Sequence, residues 1–308
     1  MKAAANLEVY RPFTGTLQEK PRAAIALWRA GLRVAFRRKL TLILLLAPPA
    51  IATVIFSFVV YAGYALEQGM TPDALGGDAG VIGQVAGTMM RDAAAEALAV
   101  RKQIVGFHLA MSVFSLLLVA WYGAGLIAED RRSGAHLLLF ARPLTRTSYV
   151  LGRFLVVATF GALGSIAPTI VVCTVATFAS PDWSFVRLEG DLIWKSIVYA
   201  AAWVTSMSAL VLAASSLTTR KPYALAVTFG IALGLGAIAT LLAELTRERA
   251  WRALSPGMSW SRIANDVFEV REVRARWDVD LAYLSVSVLF VLSVMIVAWR
   301  VRRMEAVQ

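Results

Sequence analysis

The sequence is poor in the residues on which most soluble chemistry depends. Its 308 residues hold one cysteine, Cys173, and two histidines, His108 and His136. A lone thiol excludes a disulfide framework and a cysteine-based metal site within one chain. No HExxH or Cys/His ligand spacing occurs, and Gly257-Met258-Ser259 is half a nucleophile elbow, without the closing glycine or a nearby histidine. The phosphate-cradling GxxxxGK[ST] loop is missing, so the usual route to ATP binding is closed. Charge is scarce too, at 17% of residues. Nothing here builds an enzyme.

What the chain has in excess is apolar length. It is 58% hydrophobic with a mean hydropathy of +0.65, far from the balance of a soluble domain. Six runs are long enough to cross the roughly 30 Å hydrocarbon core, which takes about 20 helical residues. They fall at about 40–64, 104–128, 154–179, 192–214, 222–243 and 281–299. The expected fold is an all-α integral membrane protein, with residues 1–20 a loosely held tail and 21–308 a single transmembrane domain. The first run is too long and too far inside the chain for a cleavable signal peptide. The runs contain only two ionisable groups, His108 and Lys195. Each sits about four residues from a run's outer end, roughly 6 Å deep, and reads as a boundary residue rather than part of a proton relay.

The net charge of +11 is distributed as a membrane protein distributes it. With the N-terminus inside, nineteen Lys/Arg fall on cytoplasmic segments and eleven on outer ones, which supports cytoplasmic N- and C-termini and argues against nucleic acid as the partner. After Pro21, the stripe Ile25, Trp28, Leu32 and Phe36 runs at helical spacing, flanked by Arg29, Arg33 and Arg37. That pattern predicts a helix lying in lipid headgroups, with charges snorkelling to phosphate.

Three further local expectations follow. Pro48-Pro49 should kink or break the first span. Gly230, Gly234 and Gly236 offer a surface for close helix approach, more often inside one subunit than in a dimer. Residues 67–103 and 244–280 should form short amphipathic helices on the outer surface.

The segment 129–153 is the least ordinary. Glu129-Asp130-Arg131-Arg132 closes the second span, Gly134 permits a turn, and Ala135–Ala141 suits a short helix. Arg142 before Pro143 should end that helix, and Thr147 or Ser148 can cap the next. Its row Leu137, Leu138, Leu139, Phe140 is apolar on every side, which a solvated loop does not leave uncovered. From the residues alone, packing on its own bundle ranks ahead of insertion into a partner.

Taken in order, Glu129, Arg131-Arg132, Gly134, the leucine run, Arg142-Pro143-Leu144, Arg146, Tyr149 and Gly152-Arg153 resemble the first cytoplasmic loop of type 2 ABC transporter permeases. Gly134-Ala135-His136-Leu137 departs from the family's Gly-Thr-Leu-Glu, and Arg153 stands for its usual Lys. The resemblance implies the membrane subunit of an ATP-driven exporter in a bacterial inner membrane. It implies a separate ABC ATPase that binds ATP and Mg, and a second permease subunit, identical or related. Within the loop it implies that Glu129, Asp130, Arg131, Gly134, Arg142 and Arg146 set a coupling helix, that Leu137–Phe140 fill a groove on the ATPase, and that Pro143 ends the helix. The competing expectation is a membrane scaffold or passive channel subunit with no ATPase.

Overall fold

The computed structural model describes residues 22–37, 39–67, 100–140, 144–270 and 277–304. Every regular element among them is helical. Helix α1 (Arg22–Phe36) precedes the first span, α2 (Lys39–Glu67). The second span is α3 (Val100–Gly123) continued by α4 (Leu126–Arg132), and the short α5 (Ala135–Phe140) follows it. Helices α6 (Arg146–Gly164) and α7 (Ile166–Ala179) make the third, and α8 (Ser184–Leu217) the fourth. The fifth is α9 (Lys221–Phe229), a π-turn (Gly230–Gly234) and α10 (Leu235–Thr246). After α11 (Pro256–Val267) comes the sixth, α12 (Val279–Arg303). Six helical stretches are long and apolar enough to cross a membrane, and the chain is an all-α membrane protein.

Helix α8 is the axis of the bundle. The most apolar part of its stretch is 72% buried, against 17% for the fifth and sixth spans. Every residue from Ser206 to Ser216 is buried. The neighbouring span closes on this run at Gly123 of α3, where a Cβ would stand 2.6 Å from Val211 Cγ1. The outward faces of the other spans carry exposed Ile51, Val54, Leu241, Leu245, Leu284 and Val291, surface that only lipid or another apolar partner covers without cost.

The prolines of α2 do not break it. The helix continues through both, and Thr53 donates its hydroxyl to the Pro49 carbonyl at 2.6 Å. In the third span the interruption falls at Ser165, outside helical geometry, three residues before Pro168, and Thr169 donates to the Ser165 carbonyl at 2.8 Å. Glycines 230 and 234 are not a packing surface within the subunit. A Cβ at either would meet nothing within 4 Å, and both instead bound the π-turn.

The segment after α10 departs most from expectation. Residues 68–99 lie outside the described residues, but 244–270 do not stay on the outer surface. Arg247 turns the chain in left-handed geometry, a 3-10 turn (Arg249–Leu254) follows, and Ser255 caps α11 by accepting from the Met258 amide. A Cβ on Gly236 would lie 3.3 Å from Ser255 Oγ. Gly236 is ten residues before the end of α10, so the chain has come back about 15 Å along that helix. The reason is the face that α11 presents. Trp260, Ile263 and Ala264 recur at helical spacing and pack into the core, while the charges find partners at the side. Arg262 donates to the Trp277 carbonyl at 3.2 Å, and Asp266 accepts from the Tyr283 hydroxyl at 3.1 Å.

That return also buries His108, which is no boundary residue. It is 2% exposed, stacked on Phe268 at 5.2 Å and edge-on to Tyr199 and Phe107. Neither ring nitrogen has a hydrogen-bond partner among the described residues. Lys195 does lie at the rim, bonded to Asp191 at 2.8 Å and Glu269 at 2.6 Å. Arg101 joins Glu189 and Glu269 at 2.7 and 3.0 Å, completing a charged clasp across α3, α8 and the end of α11. The Lys195 ammonium, donating to Glu269, holds that carboxyl below the usual carboxylate range, and Arg101 adds to the effect.

Candidate functional site

The loop end of the bundle gathers the starts and ends of five helices, and the α4–α6 segment is knotted into it. Asp130 is the centre of the knot. Its Oδ2 accepts from the Tyr149 hydroxyl at 2.6 Å and from Arg153 Nη2 at 2.5 Å. Tyr149 and Arg153 lie four apart on α6, so one face of the helix carries both donors. Tyr149 is fully buried, and the Asp130 and Arg153 side chains are 14% and 13% exposed. A carboxylate shared between a phenol and a guanidinium at that burial fixes α4 against the first turns of α6.

Arg131 fixes α4 on the other side. Its Nη1 donates to the carbonyls of Ser216 and Thr218 at 2.7 and 3.3 Å, at the C-terminus of α8, where the last carbonyls have no partner further along the helix. Arg300 of α12 donates to the same Ser216 carbonyl at 3.3 Å. One residue earlier, Ser215 Oγ accepts from the amides of Ile127 and Ala128 at 3.0 and 3.1 Å. Those amides open α4, which has no capping side chain of its own. The serine of one helix therefore caps another.

Beyond this root the chain reverses at Gly134, whose φ of +69° is open to glycine at little cost. His136 Nδ1 lies 3.1 Å from the Asp130 carbonyl, which ties α5 back to α4. Leu139 is half-buried and packs against the bundle core, as does Leu144. The side chains of Leu137, Leu138 and Phe140, and all of Arg142 and Pro143, lie outside the described residues. Helix α5 ends at Phe140. The cap of α6 is Thr145, which accepts from the Ser148 amide at 3.2 Å, not Thr147 or Ser148. The helix begins two residues earlier than a cap at Thr147 allows.

The structure thus brings Asp130 and Arg131 together with Tyr149 and Arg153, which belong to the motif without an assigned role, and with Ser215, Ser216 and Arg300, which sequence reasoning did not single out. Glu129 stays exposed, with its backbone carbonyl accepting from Ser133 Oγ at 2.8 Å. Arg146 is exposed at the start of α6. The four-residue spacing of Tyr149 and Arg153 was a visible signal for one half of the knot. The Ser215-Ser216 half had none, since two serines at the end of an apolar run look like a solvated terminus.

Helix α1 lies against α6 on one face and leaves part of the apolar stripe outward. Ala24 is buried, and Leu27 and Gly31 meet the helix. A Cβ on Gly152 would stand 2.8 Å from Leu27 Cβ, and one on Gly31 would stand 2.6 Å from Val156 Cγ2. Trp28 and Leu32 are shared with the expected stripe, and Trp28 Nε1 donates to Thr159 at 2.9 Å. Ile25 and Phe36 are instead exposed, each 42%. Leu27, on the far side of the apolar stripe, is drawn in because Gly152 offers no side chain to keep it out. Arg29, Arg33 and Arg37 lie along the open flank.

No curated protein matches this sequence. Residues 99–251 do match a family model described as ABC-2 family transporter protein, and that stretch runs from the second span to the turn before α11, with the knotted loop inside it. The chain belongs to the ABC-2 type transporter permeases.

Proposed function

We propose that this permease is the membrane subunit of an ATP-driven exporter, moved by a separate ABC ATPase docked on α5 and paired with a second permease chain in a bacterial inner membrane. The observation that supports this best is the double anchoring of α4. Asp130 ties it to α6, and Arg131 ties it to α8 and, through Ser216, to α12. A push on α5 passes through the Gly134 turn into a rigid α4 and reaches three spans at once. ATP and Mg belong to the ATPase, and the permease contributes the lever and the bundle whose access it switches.

The test is retention of a P-loop ATPase on the tagged permease in mild detergent, at matched expression. Leu138→Asp places a carboxylate on the docking helix, and loss of the ATPase with normal membrane insertion is expected. Full retention would remove α5 as the docking element. Transport should also persist when proton and sodium gradients are collapsed at constant ATP. Orientation is checked in a Cys173→Ser background. A cysteine at Glu248 should label with an impermeant maleimide from outside, and one at Ser133 only after the membrane is opened.

One observation favours the scaffold or channel reading: Leu139 packs on its own bundle. Under that reading no ATPase travels with the permease, and Leu138→Asp changes stability rather than partnership.

A further inference from the structure

The elbow between α1 and α2 holds an open surface hollow of about 540 Å³ lined by Arg29, Leu32, Arg33, Phe36, Arg37 and Lys39. Four of the six are cations. None of the four has an ion-pair or hydrogen-bond partner among the described residues, although Arg101, Arg153 and Lys195 are all paired. The carboxylate fixed at the same end, Asp130, is already shared by Tyr149 and Arg153. The wall of the hollow is almost wholly apolar, so the four cations line it with their aliphatic stems and leave their charged ends exposed, where an anion can reach them.

Leu32 and Phe36 complete the lining, and both helices of the elbow carry exposed apolar side chains. Phe36 is 42% exposed and Ile43, on the second turn of α2, is 64% exposed. The opposite face of α1 is locked to α6 by the Gly31–Val156 and Gly152–Leu27 contacts and by the Trp28–Thr159 hydrogen bond. The wall of the hollow is therefore held in place before anything enters it.

We propose that this elbow is a binding site for one anionic phospholipid, its phosphate among Arg29, Arg33, Arg37 and Lys39 and an acyl chain laid over Leu32 and Phe36. A soluble phosphate satisfies the cations but leaves the apolar floor wet. A zwitterionic lipid covers the floor but brings an ammonium among four others. Only a lipid with net negative charge answers both halves of the lining. The site goes beyond the exporter reading and does not depend on it, since it needs no ATPase.

The experiment is native mass spectrometry of the purified full-length permease with equimolar phosphatidylglycerol and phosphatidylethanolamine. One phosphatidylglycerol per chain should be retained in preference. Each basic residue near an anionic headgroup contributes about 1 kcal/mol, about fivefold, so Arg29→Gln with Arg33→Gln should weaken retention about thirtyfold. A control, Arg220→Gln with Arg302→Gln, removes the same charge at the same end of the bundle but outside the hollow, and should retain the lipid. Excess inorganic phosphate should leave it in place. Equal retention of phosphatidylethanolamine, unchanged retention by the hollow variant, or equal loss in the control each overturns the proposal. Displacement by inorganic phosphate also overturns it, in favour of a small-anion site. Because both variants replace exposed side chains with good helix formers, unchanged thermal unfolding is expected and is measured alongside.

Discussion

Asp130→Asn tests whether the knot at the loop root is a strong interaction or an ornament of the surface. The substitution keeps an acceptor for Tyr149 but removes the charge that faces Arg153 Nη2 at 2.5 Å. Arg153 Nε already lacks a partner among the described residues, so the guanidinium is left largely buried and poorly satisfied. Removing one member of a fully buried pair costs about 3–5 kcal/mol. With the two side chains 14% and 13% exposed and one hydrogen bond surviving, about 2–3 kcal/mol is expected here. Arg153→Met alone should cost a similar amount by stranding the carboxylate. The double variant replaces the pair with neutral groups and should be less damaged than the sum of the singles by roughly 1.5–2 kcal/mol, well outside the additivity expected of independent sites. The assay is unfolding of the purified permease in detergent, followed by the fluorescence of its nine tryptophans. Additive singles would refute the reasoning, because a shared carboxylate cannot be lost twice. On the exporter reading the same variant should retain its ATPase and transport poorly.

Gly152→Ala gains about 1 kcal/mol of helix propensity but drives a methyl against Leu27 Cβ and the Ala24 carbonyl at 2.8 and 3.0 Å; a net loss of roughly 1–2 kcal/mol in the same assay is expected, and a net gain would show that α1 is loosely seated. His108→Phe removes two unpartnered ring nitrogens while keeping the stack on Phe268, so stability should hold or rise by about 1 kcal/mol. His108→Ala should lose about 3 kcal/mol or more, and a Phe variant as damaged as the Ala variant would sink the packing role. The Glu269 carboxyl titrates below its ordinary value of about 4.3. Its contribution to the charged clasp is therefore full above that pH and is lost as pH falls through the lowered value. Protection from hydrogen exchange at the end of α11, taken relative to the intrinsic rate at each pH, should fall in that acid range, and Glu269→Gln should show the lower protection already at neutral pH; an unchanged acid step in that variant would place the titrating group elsewhere.

The spans were legible because length and apolarity are local properties, and about 20 residues suffice to read them. The turn at Gly134 was legible for the same reason. What escaped was set by distant residues. His108 looked like a rim residue until Phe268, 160 positions later, closed over it. Leu27 looked like a flaw in an apolar stripe because the space that accepts it is a missing side chain on another helix, Gly152. The segment 244–280 was expected to lie as amphipathic helix on the outer surface, but α11 packs into the bundle because Arg262 and Asp266 each meet a polar group supplied by the chain around α12. In the loop, Asp130 and Arg131 were marked as important from their place in a pattern. Tyr149 and Arg153 stood in the same pattern without a role, and the partners on α8 and α12 could not be read from it.

The π-turn in the fifth span has a geometric consequence for everything beyond it. Residues buried every fourth position, such as Ala224, Thr228 and Ala232, creep about 40° around an α-helix at each step. Left alone, that drift would carry the buried face away from the bundle before the outer end. A wider turn lags an ordinary helix by close to one residue, roughly 100°, and resets the phase so that Ala239 and Ala243 again face inward. Straightening the turn into plain α-helix with every residue kept would swing Ala239 and Ala243 about 100° away from the core, whereas deleting a single residue between 230 and 234 would leave them facing inward.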